Sequence, residues 1–233
     1  NDDVGFRLLT ILQIVGVLTL AGGITVLEAG VEEGSGHFGL VVVGYVIMRV
    51  GLVLQWLRAA RNDPLRRRTC LRYALGIVLV QVGWVGFFFA SRVDALVVPL
   101  FLVLVVCELV VPAWAERTGR TPWHPHHIAE RYGLFFLIVL GETILAATLA
   151  VQEAFTGQTE HRASVASVTL GGVLIVFGLW WLYFSREAAE VLGRAQSDGT
   201  GVEYLFGFGH YVIFAAAAAV GAGLAARAEY VAE

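Results

Sequence analysis

Three charged side chains fall inside long apolar runs: Arg49, Glu108 and Glu142. A charge at membrane depth costs about 2.5–3.5 kcal/mol on insertion scales, so each needs a partner or a purpose. Arg49 and Glu142 both fall near the middle of their runs, and Glu108 lies nearer one end of its own. A single Arg49–Glu142 ion pair locking two helices accounts for the pattern. So does a polar cavity or proton path in which a carboxylate changes charge, and the residues alone weigh the two equally. Gln13, Gln55 and Gln81 are uncharged companions in the same kind of surroundings. The densest polar segment runs from Trp123 to Gly133 and holds His124, His126, His127, Glu130 and Arg131. His210 opens a later apolar run at a similar level. At helical spacing His127, Arg131, Leu134, Ile138 and Glu142 fall within a stripe of roughly 80°. Histidines at a membrane edge suit hydrogen bonding or proton relay. His127 and Glu130 also have the i, i+3 spacing that carboxylate-bridged metal sites use in facing pairs. The chain offers no second such pair and no thiolate nearby, so neither a metal nor any other cofactor is expected.

The elements that must position these residues follow from composition. The chain has 233 residues, of which 58% are hydrophobic and 15% charged, with a mean hydropathy of +0.74. A soluble domain is about half apolar and about a quarter charged. Crossing ~30 Å of hydrocarbon takes about 20 mostly apolar residues in a helix. Seven stretches qualify: Phe6–Leu27, Phe38–Leu57, Leu71–Ser91, Ala95–Ala115, Ile128–Phe155, Ala163–Phe184 and Tyr204–Arg227. The fold class expected is therefore all-α, a polytopic transmembrane helix bundle of about seven spans, with residues 1–233 forming one membrane domain. The 27 glycines lie mostly inside the spans, where they let helices pack closely. Ala215, Ala219 and Gly223 repeat this at four-residue spacing.

All sixteen basic residues are arginine. The absence of lysine excludes a Walker-type phosphate loop, a pyridoxal phosphate Schiff base and a retinal Schiff base. A net charge of −3 argues against nucleic acid as a partner. Two cysteines, Cys70 and Cys107, are too few for a disulfide framework. Twelve arginines fall on one side of the seven spans, among them Arg7, Arg58, Arg61, Arg66, Arg67, Arg68 and Arg72. Only Arg92, Arg162 and Arg227 fall on the other, where Glu32, Glu33, Asp94 and Glu160 also lie. The positive-inside rule then predicts a cytoplasmic N-terminus and an external C-terminus for this segment. Trp56, Trp114, Trp123, Trp180 and Trp181 gather near the expected cytoplasmic ends, where an indole can sit half wet.

The run Trp123-His124-Pro125-x-His127, then Glu130-Arg131-x-Gly133-Leu134-Phe135 and Ile138-Val139-Leu140-Gly141-Glu142, resembles the signature of the bacterial low temperature requirement protein A family. Arg58-Ala59-Ala60-Arg61 and Trp180-Trp181-Leu182-Tyr183-Phe184 support the resemblance. It implies a multi-pass protein of the bacterial inner membrane. It implies no reaction, because the family is named for a growth requirement in the cold. Members begin with one or two further helices bearing a Glu-Leu-Phe-Phe-Asp-Leu-Val-type motif. That motif is absent, so the expectation is a core segment of a longer chain, with helices before Asn1 and after Glu233.

Intramembrane Arg49, Glu108 and Glu142, with His210 at a level similar to Glu108 and His127, Glu130 and Arg131 at the inner mouth, make a transporter or an ion- or proton-coupled permeation protein the first expectation. The alternatives are an intramembrane enzyme acting on a lipid or small molecule, and a cold-stress sensory or structural protein. Enzyme chemistry is the weaker reading, since no nucleophilic serine motif and no paired aspartates are present. The Arg58–Arg72 stretch is expected to meet anionic lipid headgroups. The solute or coupling ion is not specified by sequence, and a homo-oligomer is left open.

Overall fold

Asp3 starts the first helix by accepting the backbone N–H of Phe6 at 2.9 Å through its carboxylate, the bond that satisfies an otherwise orphaned N-terminal donor. In the computed structural model of the protein, residues 3–29, 36–90, 94–156, 162–198 and 202–232 are described. Glu32, Glu33, Arg92 and Glu160, used in the orientation argument, lie outside them. All regular structure among the described residues is helical: α1 (Val4–Ala29), α2 (Gly36–Asn62), α3 (Arg67–Ala90), α4 (Asp94–Ala115), a 3₁₀ turn at Glu116–Thr118, α5 (Pro125–Thr156), α6 (Arg162–Phe184), α7 (Ala188–Asp198) and α8 (Val202–Ala232).

Helix is the only open-ended structure that satisfies every backbone group without water, and the long helices coincide in order with the seven apolar stretches. Among the described residues, α1, α2, α3, α4, α6 and α8 are long and apolar enough to cross a membrane. The 32-residue α5 occupies the remaining expected stretch. The protein is thus an all-α, multi-pass membrane protein. Pro125 stands as the first residue of α5, where a proline gives up only an N–H that would be orphaned anyway. The basic stretch around Arg66 is mostly helical, since only residues 63–66 separate α2 from α3. Helix α7 was not anticipated. Its Ala189 and Leu192 are buried while Glu190 and Arg194 lie outward, an amphipathic pattern too short to cross a bilayer.

The chain divides into two compact units, Asn1–Pro122 and Trp123–Glu233. In the first, α1 packs on α2, α2 on α3 and α3 on α4. Glycines form the seam between α1 and α2. A Cβ on Gly44 would stand 2.4 Å from the backbone nitrogen of Leu20, one on Gly16 2.8 Å from the backbone nitrogen of Met48, and one on Gly23 2.7 Å from that of Val41. Asp3 also pairs with Arg58, tying the start of α1 to the last turns of α2.

In the second unit α5 packs against α8 and α6, around a core of Phe136, Leu140 and Ala217. The small residues that α8 buries are Ala217 and Gly221, whereas Ala215, Ala219 and Gly223 are exposed. The four-residue repeat exists, but the face it marks is not the packed one. Both faces are apolar, and the packed one is chosen by fit against Thr143, whose hydroxyl lies 2.6 Å from where a Cβ on Gly221 would stand.

Between α2 and α3, Asp63 accepts from the Arg66 side chain at 2.8 Å and from its backbone N–H at 3.2 Å. The Arg66 hydrogen bond holds this carboxyl below the usual carboxylate range. The stabilisation it gives is therefore full at neutral pH and is lost as pH falls through the lowered value.

Replacing Gly44 by Ala forces backbone against backbone and should cost about 1–3 kcal/mol, the usual penalty for overpacking. Gly22→Ala meets open space and should leave stability unchanged or raise it. Thermal unfolding in detergent compares the two, and equal midpoints would contradict the seam.

Candidate functional site

Two polar centres occupy the protein, one in each unit. In the first, Arg49 lies midway along α2 and Tyr45 one turn before it, so both project on the same helix face. Nη2 of Arg49 donates to Oε2 of Glu108 on α4 and to the Tyr45 hydroxyl. The Tyr45 hydroxyl donates to Oε1 of Glu108. Nε1 of Trp84 on α3 donates to the same oxygen at 3.0 Å. The guanidinium also sits 4.7 Å from the Tyr45 ring centroid, and the Tyr45 and Trp84 rings meet edge to face at 6.1 Å. One carboxylate on α4 thus gathers three donors from α2 and α3, and the formal charges cancel. About three-quarters of each charged side chain is shielded.

A cavity of about 270 Å³ adjoins this cluster, lined by Arg49, Trp56, Tyr73, Glu108 and Pro112 among others. Trp56 and Tyr73 stack directly on each other in its wall at 4.0 Å. Pro112 has no N–H to return to the carbonyl four residues earlier, which is that of Glu108. Backbone and side chain of Glu108 therefore both supply acceptors here. Gln13 and Gln55 satisfy each other at 3.1 Å between α1 and α2.

The second centre is built on His210, buried at 5% exposure in the early turns of α8. Its Nδ1 lies 2.6 Å from the Phe206 carbonyl, which can only accept, so Nδ1 carries a proton. In the neutral ring Nε2 is then the acceptor for the Tyr183 hydroxyl at 2.9 Å. The rings of Tyr132, Phe206 and Phe214 surround the imidazole with centroids at 4.5, 4.3 and 5.3 Å, and Tyr183 stacks in turn on Phe136 at 4.0 Å. His210 and Tyr183 border a cavity of about 840 Å³, whose rim carries His126, Glu130, Arg186 and Glu187. The start of α5, the end of α6, the start of α7 and the start of α8 all meet there, so the cavity lies at one end of the unit.

Arg49 and Glu108 come together, while Glu130 and His210 line the same cavity. The carboxylate that meets Arg49 is Glu108 rather than Glu142, the partner the spacing had suggested. His127, Arg131, Leu134, Ile138 and Glu142 do share a face of α5, but all five are exposed. The face that packs carries Tyr132, Gly133, Phe136, Leu140 and Thr143. No group of histidine, cysteine and carboxylate side chains arranged to hold a metal occurs among the described residues. Sequence reasoning missed Tyr45, Trp84, Tyr132 and Tyr183 as functional neighbours. The i, i+4 spacing of Tyr45 and Arg49 was a usable signal. Trp84 is the one tryptophan away from the expected cytoplasmic ends, which was another.

The family model described as bacterial low temperature requirement A protein matches residues 1–233, the whole chain. An uncharacterised protein of Rhizobium meliloti (strain 1021), RA0937, is 30% identical over 203 residues, covering 82% of this chain and 48% of the relative. The chain therefore spans about half the length of that curated relative. No solved structure matches it.

Removing Arg49 alone leaves Glu108 charged and underpaired. Arg49→Met should cost about 3–5 kcal/mol, whereas Arg49→Met combined with Glu108→Met should recover most of the loss. Thermal unfolding of the three proteins checks this, and a double variant no better than the single one would contradict the pairing.

Proposed function

The chain belongs to the bacterial low temperature requirement A family, and on that premise we propose that it is the membrane core of a permeation protein for a small polar solute, coupled to protons. The observation that carries the reading is the vestibule of the second unit. A large cavity opens at one end of the helix bundle, its rim carries both signs of charge, and its floor is a buried imidazole. A solute leaving water for hydrocarbon must exchange its hydration for protein groups. The vestibule offers acceptors in Glu130 and Glu187, a donor in Arg186, and groups that can do either in Tyr183 and His210.

Histidine is the side chain suited to changing charge in the physiological range. Protonation at Nε2 turns that atom from acceptor into donor, so the Tyr183 hydroxyl must release its bond and turn its hydrogen elsewhere. The Phe206 carbonyl keeps Nδ1–H in place through either state. A single proton thus reorients the phenol at the floor of the cavity, which is the kind of local event that couples a proton to a solute. Glu130 and Glu187 are the carboxylates that line the same cavity. The first unit suits anchoring instead, because its charges already neutralise one another.

On this reading the vestibule faces the cytoplasm, following the arginine distribution, and the host is the bacterial inner membrane. The reconstituted protein should acidify liposomes under an imposed pH gradient, as read by a trapped dye. His210→Gln should lower that flux roughly tenfold or more, in line with loss of a proton-transfer group. Tyr183→Phe, which keeps the ring, should lower it less. Equal flux from wild type and a folded His210→Gln protein would sink the proposal.

A further inference from the structure

We infer that the vestibule of the second unit selects a small organic cation, a substituted ammonium carrying an apolar group. This names the solute class for the permeation reading and rests on it, since both place the solute in the same cavity. Three charges there are left open. Among the described residues, Glu130, Arg186 and Glu187 have neither an ion-pair nor a hydrogen-bond partner, although all three line the cavity. On α7 nearby, Arg194 and Glu190 satisfy each other at 3.3 Å. Two carboxylates against one guanidinium leave the vestibule with a surplus of negative charge while His126 and His210 are neutral. A cation is drawn to such a mouth and an anion is turned away.

The lining decides which kind of cation. The rings of Tyr183, Phe184 and Phe206, with Leu182 and Ile213, make up much of the wall. A hydrated metal ion wants a cage of oxygen ligands, and no group of side chains arranged to hold one occurs among the described residues. A substituted ammonium is weakly hydrated and is attracted to aromatic faces. A neutral sugar-like solute would find too few hydrogen-bonding partners along such a wall. Small residues make the room: Ala129 and Gly133 one turn apart on α5, and Ala188 and Ala189 at the start of α7. A Cβ on Gly133 would stand 3.3 Å from the Phe184 ring, so that ring lies close against α5. The resulting volume of about 840 Å³ falls within the range of small-molecule sites, roughly 300–1,000 Å³.

Benzyltrimethylammonium, titrated calorimetrically into the protein in lipid nanodiscs with empty nanodiscs subtracted, should bind saturably. Benzenesulfonate and benzyl alcohol, of comparable size, should not. Glu130→Gln combined with Glu187→Gln should weaken the cation about three- to tenfold, the scale of exposed charge pairs. Phe184→Leu should weaken it about two- to fivefold. Arg186→Gln should tighten it, a gain that misfolding does not produce. The inference is overturned by no saturable binding to wild type, by equal binding of the anion or the alcohol, by unchanged affinity in the double variant or in Phe184→Leu, or by an Arg186→Gln protein that binds no more tightly. Binding is read without transport, so the two readings fail separately. Saturable cation binding by a protein that passes no protons upholds the site and sinks only the permeation reading. Proton flux without cation binding sinks the solute class alone.

Discussion

A bilayer offers no water to a buried charge, and the first unit of this protein is arranged around that constraint. Glu108 on α4 is satisfied by Arg49 and Tyr45 from α2 and by Trp84 from α3. Removing Arg49 strips Oε2 of its donor and leaves the carboxylate charge unbalanced, whereas Oε1 is held by two donors. The geometry therefore fixes the rotation of three helices at once, because α2 and α3 must aim their donors at the carboxylate that α4 presents. Helix α1 joins by a different force. It brings no charge to the cluster and closes on α2 through glycines, where the lack of side chains lets backbones touch.

The second unit meets the same constraint differently. His210 is enclosed by aromatic rings, and its two nitrogens are committed to a carbonyl and a phenol. One edge of this arrangement borders a large cavity instead of further packing. The first centre is neutralised within itself and adjoins a smaller cavity, whereas the second sets an imidazole against a larger one. The proposed division of labour between the two units rests on this contrast.

Much of this was legible in the residues. The seven stretches and the family follow from apolar length and from the Trp123–Glu142 motif. Arg49, Glu108, Glu130 and His210 stood out by type and place alone. What sequence could not give was helix rotation. In a soluble bundle the polar face marks the outside, but here lipid-facing and core-facing residues are equally apolar. So the stripe from His127 to Glu142 looked inward while Tyr132, Phe136 and Thr143 do the packing, and Ala215–Gly223 looked like a seam when Ala217 and Gly221 form it. The pairing of Arg49 with Glu108 instead of Glu142 has the same origin. Two carboxylates lay within the range of plausible depths, and only rotation distinguishes them. Helix α7 escaped because its polar residues read as loop, though Ala189 and Leu192 have the spacing of a buried stripe.

On the proposed function, water reaches His210 through the vestibule of the second unit. Ile213 lines that cavity and is a residue whose side chain neither donates nor accepts. With Cys70 and Cys107 replaced, a lone cysteine at position 213 can be probed with a water-soluble maleimide while the protein sits in a lipid nanodisc. Labelling should proceed at a rate near that of a cysteine placed on an exposed loop. Labelling only after the lipid is dissolved by detergent would contradict it.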